Sequence, residues 1–244
     1  MIIVFDMDDT LYLELDFVRS GFRAVDHWLA AEFRVGGFFT TAWRLFEGGQ
    51  RERVFDAALT GLGVAAEPRL IDELVGVYRS HWPMIRLAPD AARALERHAT
   101  RDRLALLTDG YLLTQERKIE ALELRSCCDP VIATDQWGRD YWKPHPRGFM
   151  AIQSRFDCPP ADFVYIGDNP SKDFLTPKAL GWKTIRIRRA GGLHAGQVAL
   201  PDHDADLTIT TLDELDRDDV QRLLAARSRP QERASLPQPE EALT

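Results

Sequence analysis

Two patterns of apolar residues alternate along the chain. Short apolar or β-branched runs occur at Met1–Phe5, Leu104–Leu107, Pro130–Ala133, Phe163–Ile166, Lys183–Ile187 and Leu207–Ile209. Runs that lack strict polar alternation suit strands covered on both faces. Between them, apolar residues recur at helical spacing, as with Phe17, Val18, Phe22, Val25, Trp28, Leu29 and Phe33. This spacing predicts helices over about 15–35, 40–46, 51–62, 68–81, 89–99, 112–122, 147–156, 171–180 and 212–226. Gly36-Gly37, Gly48-Gly49 and Gly63 separate the first four helices, Pro68 opens the fourth and Gly181 stops the eighth. Strands alternating with helices predict an α/β fold, a parallel sheet with helices on both faces. Residues 14–85 depart from the alternation. They hold four helices and no strand, and are expected to form a small bundle of their own.

In such sheets the functional site lies beyond the carboxyl ends of the strands. The first strand ends in Asp6, Asp8 and Asp9. Asp6 and Asp8 have the period-two spacing that places two side chains on one side of an extended backbone. Two like charges so close repel unless a cation lies between them or one takes a proton. A cluster of hard oxygen ligands suits Mg²⁺, although a polar turn or helix cap would also use Asp and Thr. Two more strand ends carry polar groups, Thr108-Asp109-Gly110 and Gly167-Asp168-Asn169. The topology therefore predicts that these distant residues converge.

The net charge of −7 argues against nonspecific binding to nucleic acid or anionic membranes, while leaving room for a local basic pocket. Three cysteines, Cys127, Cys128 and Cys158, show no framework spacing and fit a reducing compartment. No stretch approaches the roughly 18 apolar residues of a membrane span. A cytoplasmic protein is expected. Residues 227–244, rich in Pro, Gln, Glu and Ser, are expected to be a flexible tail.

Four separated segments share a further likeness: Asp6-Met7-Asp8-Asp9-Thr10, Leu106-Leu107-Thr108-Asp109-Gly110, Lys143-Pro144-His145-Pro146, and Gly167-Asp168-Asn169-Pro170-Ser171-Lys172-Asp173. In this order the chain resembles the haloacid dehalogenase-like hydrolase superfamily, on its phosphatase side, from about Met1 to Ala226. The resemblance implies a Rossmann-like core built from 1–13 and 86–226, with 14–85 as a helical cap. It implies that Asp6 is a nucleophile forming an aspartyl-phosphate, and that Asp8 is the acid and base whose carbonyl also ligates Mg²⁺. Asp168 would complete the protein ligands, with Asp173 in support. Thr108, the amides of Asp109 and Gly110, and Lys143 would bind the phosphoryl group. Thr108 also suits a plain helix N-cap, and Asp9 suits loop support. Phe17, Arg19, Phe22, Arg23, Trp43 and Arg44 are candidate selectors of the leaving group, although such residues also serve as core or solvated face. Gly191–His194 is expected as a loop near the site, with His194 incidental. Dehalogenating members lack the carboxylate two residues after the nucleophile, so Asp8 and Asp168 favour Mg²⁺-dependent hydrolysis of a small phosphate ester: a nucleotide, a sugar phosphate or a phosphoglycolate-like acid. A phosphomutase and a binding module without turnover are the alternatives.

Overall fold

Ile3 and Phe5 face one side of the first strand, and Ile2 and Val4 the other; all four are buried. The same division continues across the sheet, because side chains alternate between faces. The computed structural model describes residues 1–226; the tail expected at 227–244 lies outside the described residues. Its strands are β1 (Ile2–Phe5), β2 (Arg103–Thr108), β3 (Val131–Ala133), β4 (Phe163–Gly167), β5 (Lys183–Ile187) and β6 (Leu207–Ile209). All pair in parallel, in the order β3-β2-β1-β4-β5-β6. This is the doubly wound order. The chain runs outward from β1 through β2 to β3, then crosses back to start β4 on the other side of β1. The switch point therefore lies between β1 and β4.

Helices cover both faces. On the Ile3 and Phe5 side are α5 (Pro89–Ala99), α6 (Leu112–Ala121) and α9 (Asp218–Ala225), contributing Ala94, Leu95, Ile119 and Val220. On the other side α7 (Arg147–Gln153) places Phe149 and Ile152 against Tyr165 and Trp182. Trp182 stacks on Phe163 with ring centroids 4.6 Å apart. Phe5 is wholly buried, and truncating it to Ala costs about 3–5 kcal/mol.

Between β1 and β2 run α1 (Glu14–Phe33), α2 (Phe38–Glu47), α3 (Val54–Gly61) and α4 (Pro68–Ser80). They share a separate apolar cluster centred on Phe22, Val25, Leu29, Phe38 and Leu59. Phe22 makes edge-on contacts with Phe38, Phe46 and Phe55. The returning chain rejoins the outgoing one where the Ala88 amide donates to the Leu11 carbonyl at 2.9 Å.

Two expected helices differ from their prediction. The one read over 171–180 is only α8 (Leu175–Ala179). Asn169 Oδ1 accepts from the Ser171 amide at 2.9 Å, and Asp173 Oδ2 accepts from the Asn169 amide at 2.9 Å. Side chains that bond nearby backbone hold these residues in a turn in place of a helix. The helix read over 212–226 is split into a 3-10 segment, Leu212–Asp216, and α9. A capping box between Thr211 and Glu214 starts the first piece, and extended backbone at Arg217 ends it. Asp218 and Asp219 then suit the positive end of a new helix.

Candidate active site

The carboxyl ends of β1 and β4 set the site. The Asp6 amide donates to the Ile166 carbonyl at 2.8 Å, carrying the β1–β4 ladder one residue past β1. Asp6 is 2% exposed and Asp168 6%. A carboxylate oxygen from each of Asp6, Asp168 and Asp173 falls within 4.8 Å of the others. Gly167 makes room for this approach, because a Cβ there would lie 2.6 Å from Asp173 Oδ2.

One cation is built into the cluster. Lys143 Nζ lies 2.9 Å from Asp6 Oδ1, 2.9 Å from Asp173 Oδ1 and 2.7 Å from the Tyr165 hydroxyl. Burial alone would lower the Lys143 pKa, but Asp173 and Asp6 outweigh it and keep the ammonium charged. Lys172, 3.4 Å from Asp109, adds a second positive charge farther out, and two ammoniums do not balance these three carboxylates together with Asp109. Burial, which outweighs Lys143, raises Asp6 to about 6. Burial, with the charges of Asp173 and Asp6, raises Asp168 to about 9. Asp168 Oδ2 is buried and has no hydrogen-bond partner among the described residues. An orphaned carboxylate oxygen beside further hard oxygens fits a divalent cation such as Mg²⁺.

Asp8 is held differently. Its carboxylate accepts from Lys118 Nζ at 2.7 Å, from Gln115 Nε2 at 3.0 Å and from the Tyr12 hydroxyl. Burial would raise its pKa, yet the Lys118 charge and these three donors hold it below the usual carboxylate value. The structure therefore presents Asp8 ionised. Gln115 Nε2 also donates to Thr108 Oγ1 at 2.6 Å, so one amide ties Asp8 to Thr108.

Thr108 is not a helix cap. α6 begins at Leu112, whose amide donates to Asp135 Oδ2 at 2.8 Å. The amides of Asp109 and Gly110 thus sit in the turn before the helix, not on its first turn. Gly110 has φ +131°, and Gln115 lies 3.0 Å from where its Cβ would stand. The Asp109 side chain accepts from Thr134 Oγ1 at 2.6 Å and the Lys143 amide at 3.1 Å, and lies 3.4 Å from Lys172 Nζ. Asp9 accepts from the Glu14 amide at 2.9 Å and the Leu193 amide at 2.7 Å. It joins the first loop to the 191–193 loop, in line with loop support. His194 Nε2 lies 3.2 Å from Asn169 Nδ2 at the site's edge.

A cavity of about 320 Å³ opens beside Asp8, between α6 and the helices α1, α3 and α4. Glu14, Phe17, Tyr78, Arg79, Gln115 and Lys118 line it. Of the six expected selectors only Phe17 does so. Phe22, 3% exposed, fills the helical cluster. Arg19 lies over the Trp43 ring and Arg23 over the Phe39 ring, at 4.6 and 5.0 Å. Trp43 stacks on Phe39 and Phe46, and Arg44 points to solvent.

A sequence profile described as haloacid dehalogenase-like hydrolase matches residues 1–181. The chain belongs to the haloacid dehalogenase-like hydrolases. The glyceraldehyde 3-phosphate phosphatase of Methanocaldococcus jannaschii is 28% identical over 222 residues, covering 87% of this chain and 94% of that protein. The phosphoserine phosphatase of Thermus thermophilus is 32% identical over 141 residues, 57% of this chain and 55% of that protein. Among solved structures, the magnesium-bound HAD-hydrolase YfnB of Bacillus subtilis superposes with a TM-score of 0.63 at 18% identity. That match covers 92% of this chain and 98% of the other and speaks to the fold.

Sequence reasoning within this haloacid dehalogenase-like chain missed Tyr12, Glu14, Arg79, Gln115, Lys118, Tyr165 and Lys172. One signal was available. Gln115 and Lys118 stand three apart on α6 and so share a face. Lys118, only 3% exposed, shares α6 with the core residue Ile119.

Proposed function

We propose that this hydrolase is a Mg²⁺-dependent phosphomonoesterase acting on a small phosphorylated metabolite through an aspartyl-phosphate on Asp6. The observation that carries the reading is the buried Asp6–Asp168 pair at the switch point, with Lys143 against Asp6 and an unsatisfied oxygen on Asp168. Asp6, Asp168 and the Asp8 carbonyl would hold Mg²⁺, which when bound draws charge from the phosphoryl oxygens. Asp6 attacks phosphorus in line with the leaving oxygen. The P–O bond to the alcohol breaks, and its electron pair leaves on the alcohol oxygen, which takes a proton from Asp8. Asp8 is ionised in this structure, so that proton arrives with the substrate. Asp8 then accepts a proton from the water that attacks phosphorus, the bond from phosphorus to Asp6 breaks, and inorganic phosphate leaves carrying that proton, which restores ionised Asp8. Lys143 offsets the charge of Asp6 and of the phosphoryl group. The Thr108 oxygen accepts from Gln115, which leaves its hydroxyl hydrogen available to donate to a phosphoryl oxygen.

Residues 14–85 act as a cap that shields the intermediate and contacts the leaving group. The cavity is at the small end of the roughly 300–1,000 Å³ range of ligand sites, which favours a short leaving group over a nucleoside. Two of the phosphatase relatives, those of M. jannaschii and T. thermophilus, are named for three-carbon phosphates. A cytoplasmic setting suits the free thiols of Cys127, Cys128 and Cys158. The test is phosphate release from a panel of small esters with Mg²⁺ and with EDTA. Release that needs Mg²⁺ and disappears in Asp6→Asn supports the reading. Full activity in EDTA, or in Asp6→Asn, overturns it. Transfer to a second sugar hydroxyl without phosphate release would mark a phosphomutase.

A further inference from the structure

Of the charged residues that line the cavity, Asp8, Asp109 and Lys118 have charged partners among the described residues and two, Arg79 and Glu14, do not. Lys118 is paired with Asp8, and Asp109 is satisfied by Thr134, the Lys143 amide and Lys172. Arg79, on α4, lines the same cavity and has no carboxylate partner among the described residues. Its guanidinium lies 3.6 Å over the Tyr111 ring, and Tyr111 directly follows Gly110. The Arg79 carbonyl accepts from Thr114 Oγ1 at 3.1 Å, which anchors the base of the side chain to α6. Stacking on an aromatic face leaves the edge of the guanidinium free to donate in its plane. The other is Glu14. Burial and the neighbouring Asp8 charge raise its carboxyl to about 7.

We infer that Arg79 is a specificity-determining residue that binds a carboxylate on the leaving alcohol, so that the substrate is a short phosphorylated carboxylic acid. The inference rests on the phosphomonoesterase reading and narrows it. A planar fork matches a carboxylate through two parallel hydrogen bonds, and Phe55, Val75 and Tyr78 line the cavity beside it. The cavity, about 320 Å³, has room for a short alcohol bearing a carboxylate.

A matched series tests this: 3-phosphoglycerate, glyceraldehyde 3-phosphate and glycerol 3-phosphate share a three-carbon skeleton and differ in the remote group. Wild-type protein with Mg²⁺ should show a kcat/KM for 3-phosphoglycerate about 10- to 100-fold above the other two, the range expected for hydrogen bonds to a charged group. Arg79→Ala should collapse that ratio toward one, mainly through KM for the acid. Arg79→Lys should restore part of it, since it keeps charge and loses the fork. Arg69→Ala, an exposed position on the same helix, should leave the ratio intact and controls for helix damage. Equal kcat/KM across the series, or a preference that survives Arg79→Ala, overturns the inference and leaves the phosphomonoesterase reading standing. No hydrolysis of any ester in Mg²⁺ overturns the phosphomonoesterase reading itself, and this inference with it.

Discussion

Metal-free protein should lose stability as pH rises from about 4 toward about 9, and Mg²⁺ should remove that loss. The perturbation is chelation. Asp6, 2% exposed, is raised from 3.8 to about 6, chiefly by burial. That is about 2 pKa units, and at 1.36 kcal/mol per unit it amounts to about 3 kcal/mol. Asp168 is raised further, to about 9, and acts in the same direction. The sign follows from proton counts. Above the ordinary value of 3.8 the unfolded chain has released these protons, while the folded chain still holds them up to its raised pKa. The folded state binds more protons across this window, so stability falls as pH rises, and the loss is complete above the folded pKa. A cation that binds only the folded, ionised site opposes this. At about 100 times its Kd it contributes about 2.7 kcal/mol. Urea unfolding between about pH 5 and pH 8, in EDTA and in excess Mg²⁺, reads both effects. The expected result is a falling stability profile in EDTA and a flat or rising one in Mg²⁺. Parallel profiles would refute the assignment of Asp6 and Asp168 as a cation site.

Two further perturbations probe residues around the site. Lys118→Met removes the charge that holds Asp8 low. The limb of the pH–rate profile that needs ionised Asp8 should move to higher pH, and an unchanged limb would show that Lys118 does not act on Asp8. Asp90→Asn tests the support beneath the first loop. Asp90 accepts from Arg189 Nη1 at 2.7 Å, the Leu212 amide at 2.8 Å and Thr211 Oγ1 at 2.9 Å, while Arg189 Nη2 reaches the Thr10 carbonyl at 2.7 Å. Arg189 and the other donors outweigh burial and hold Asp90 at about 2, so at neutral pH the network contributes about 2 kcal/mol, fully present above about pH 4 and lost as pH falls toward 2. A urea-denaturation difference below about 0.5 kcal/mol at pH 7 would contradict this.

The parts of the site carried by strand ends could be read from the sequence. Asp6, Thr108 and Asp168 each follow an apolar run, and a parallel sheet brings the ends of such runs together regardless of how the helices pack. Lys143 was readable from its Lys-Pro context, although its contacts with Tyr165 and Asp173 required coordinates. Helix-borne residues were not readable in the same way. Lys118 and Gln115 reach Asp8 because of how α6 docks, a rotation that spacing alone does not give. Arg19 and Arg23 had the right chemistry for a substrate contact but lie on aromatic rings of their own helical cluster. Arg79 gives no periodic signal, because the helical spacing of 68–81 is carried by Leu70, Ile71, Leu74, Val75 and Tyr78. The 171–174 segment looked helical, and its own carboxylate and amide side chains hold it as a turn.

The central claim is that Asp6 becomes phosphorylated. Asp8→Asn should retain attack on p-nitrophenyl phosphate, whose leaving group needs no acid, and should slow hydrolysis of the intermediate. Acid-quenched Asp8→Asn protein, mapped by peptide mass spectrometry after reaction in Mg²⁺, reads this directly. A phosphoryl group on the peptide containing Asp6, absent in Asp6→Asn/Asp8→Asn, is the predicted result. Phosphate release with no phosphoryl group on that peptide, or with the group on another residue, would contradict it.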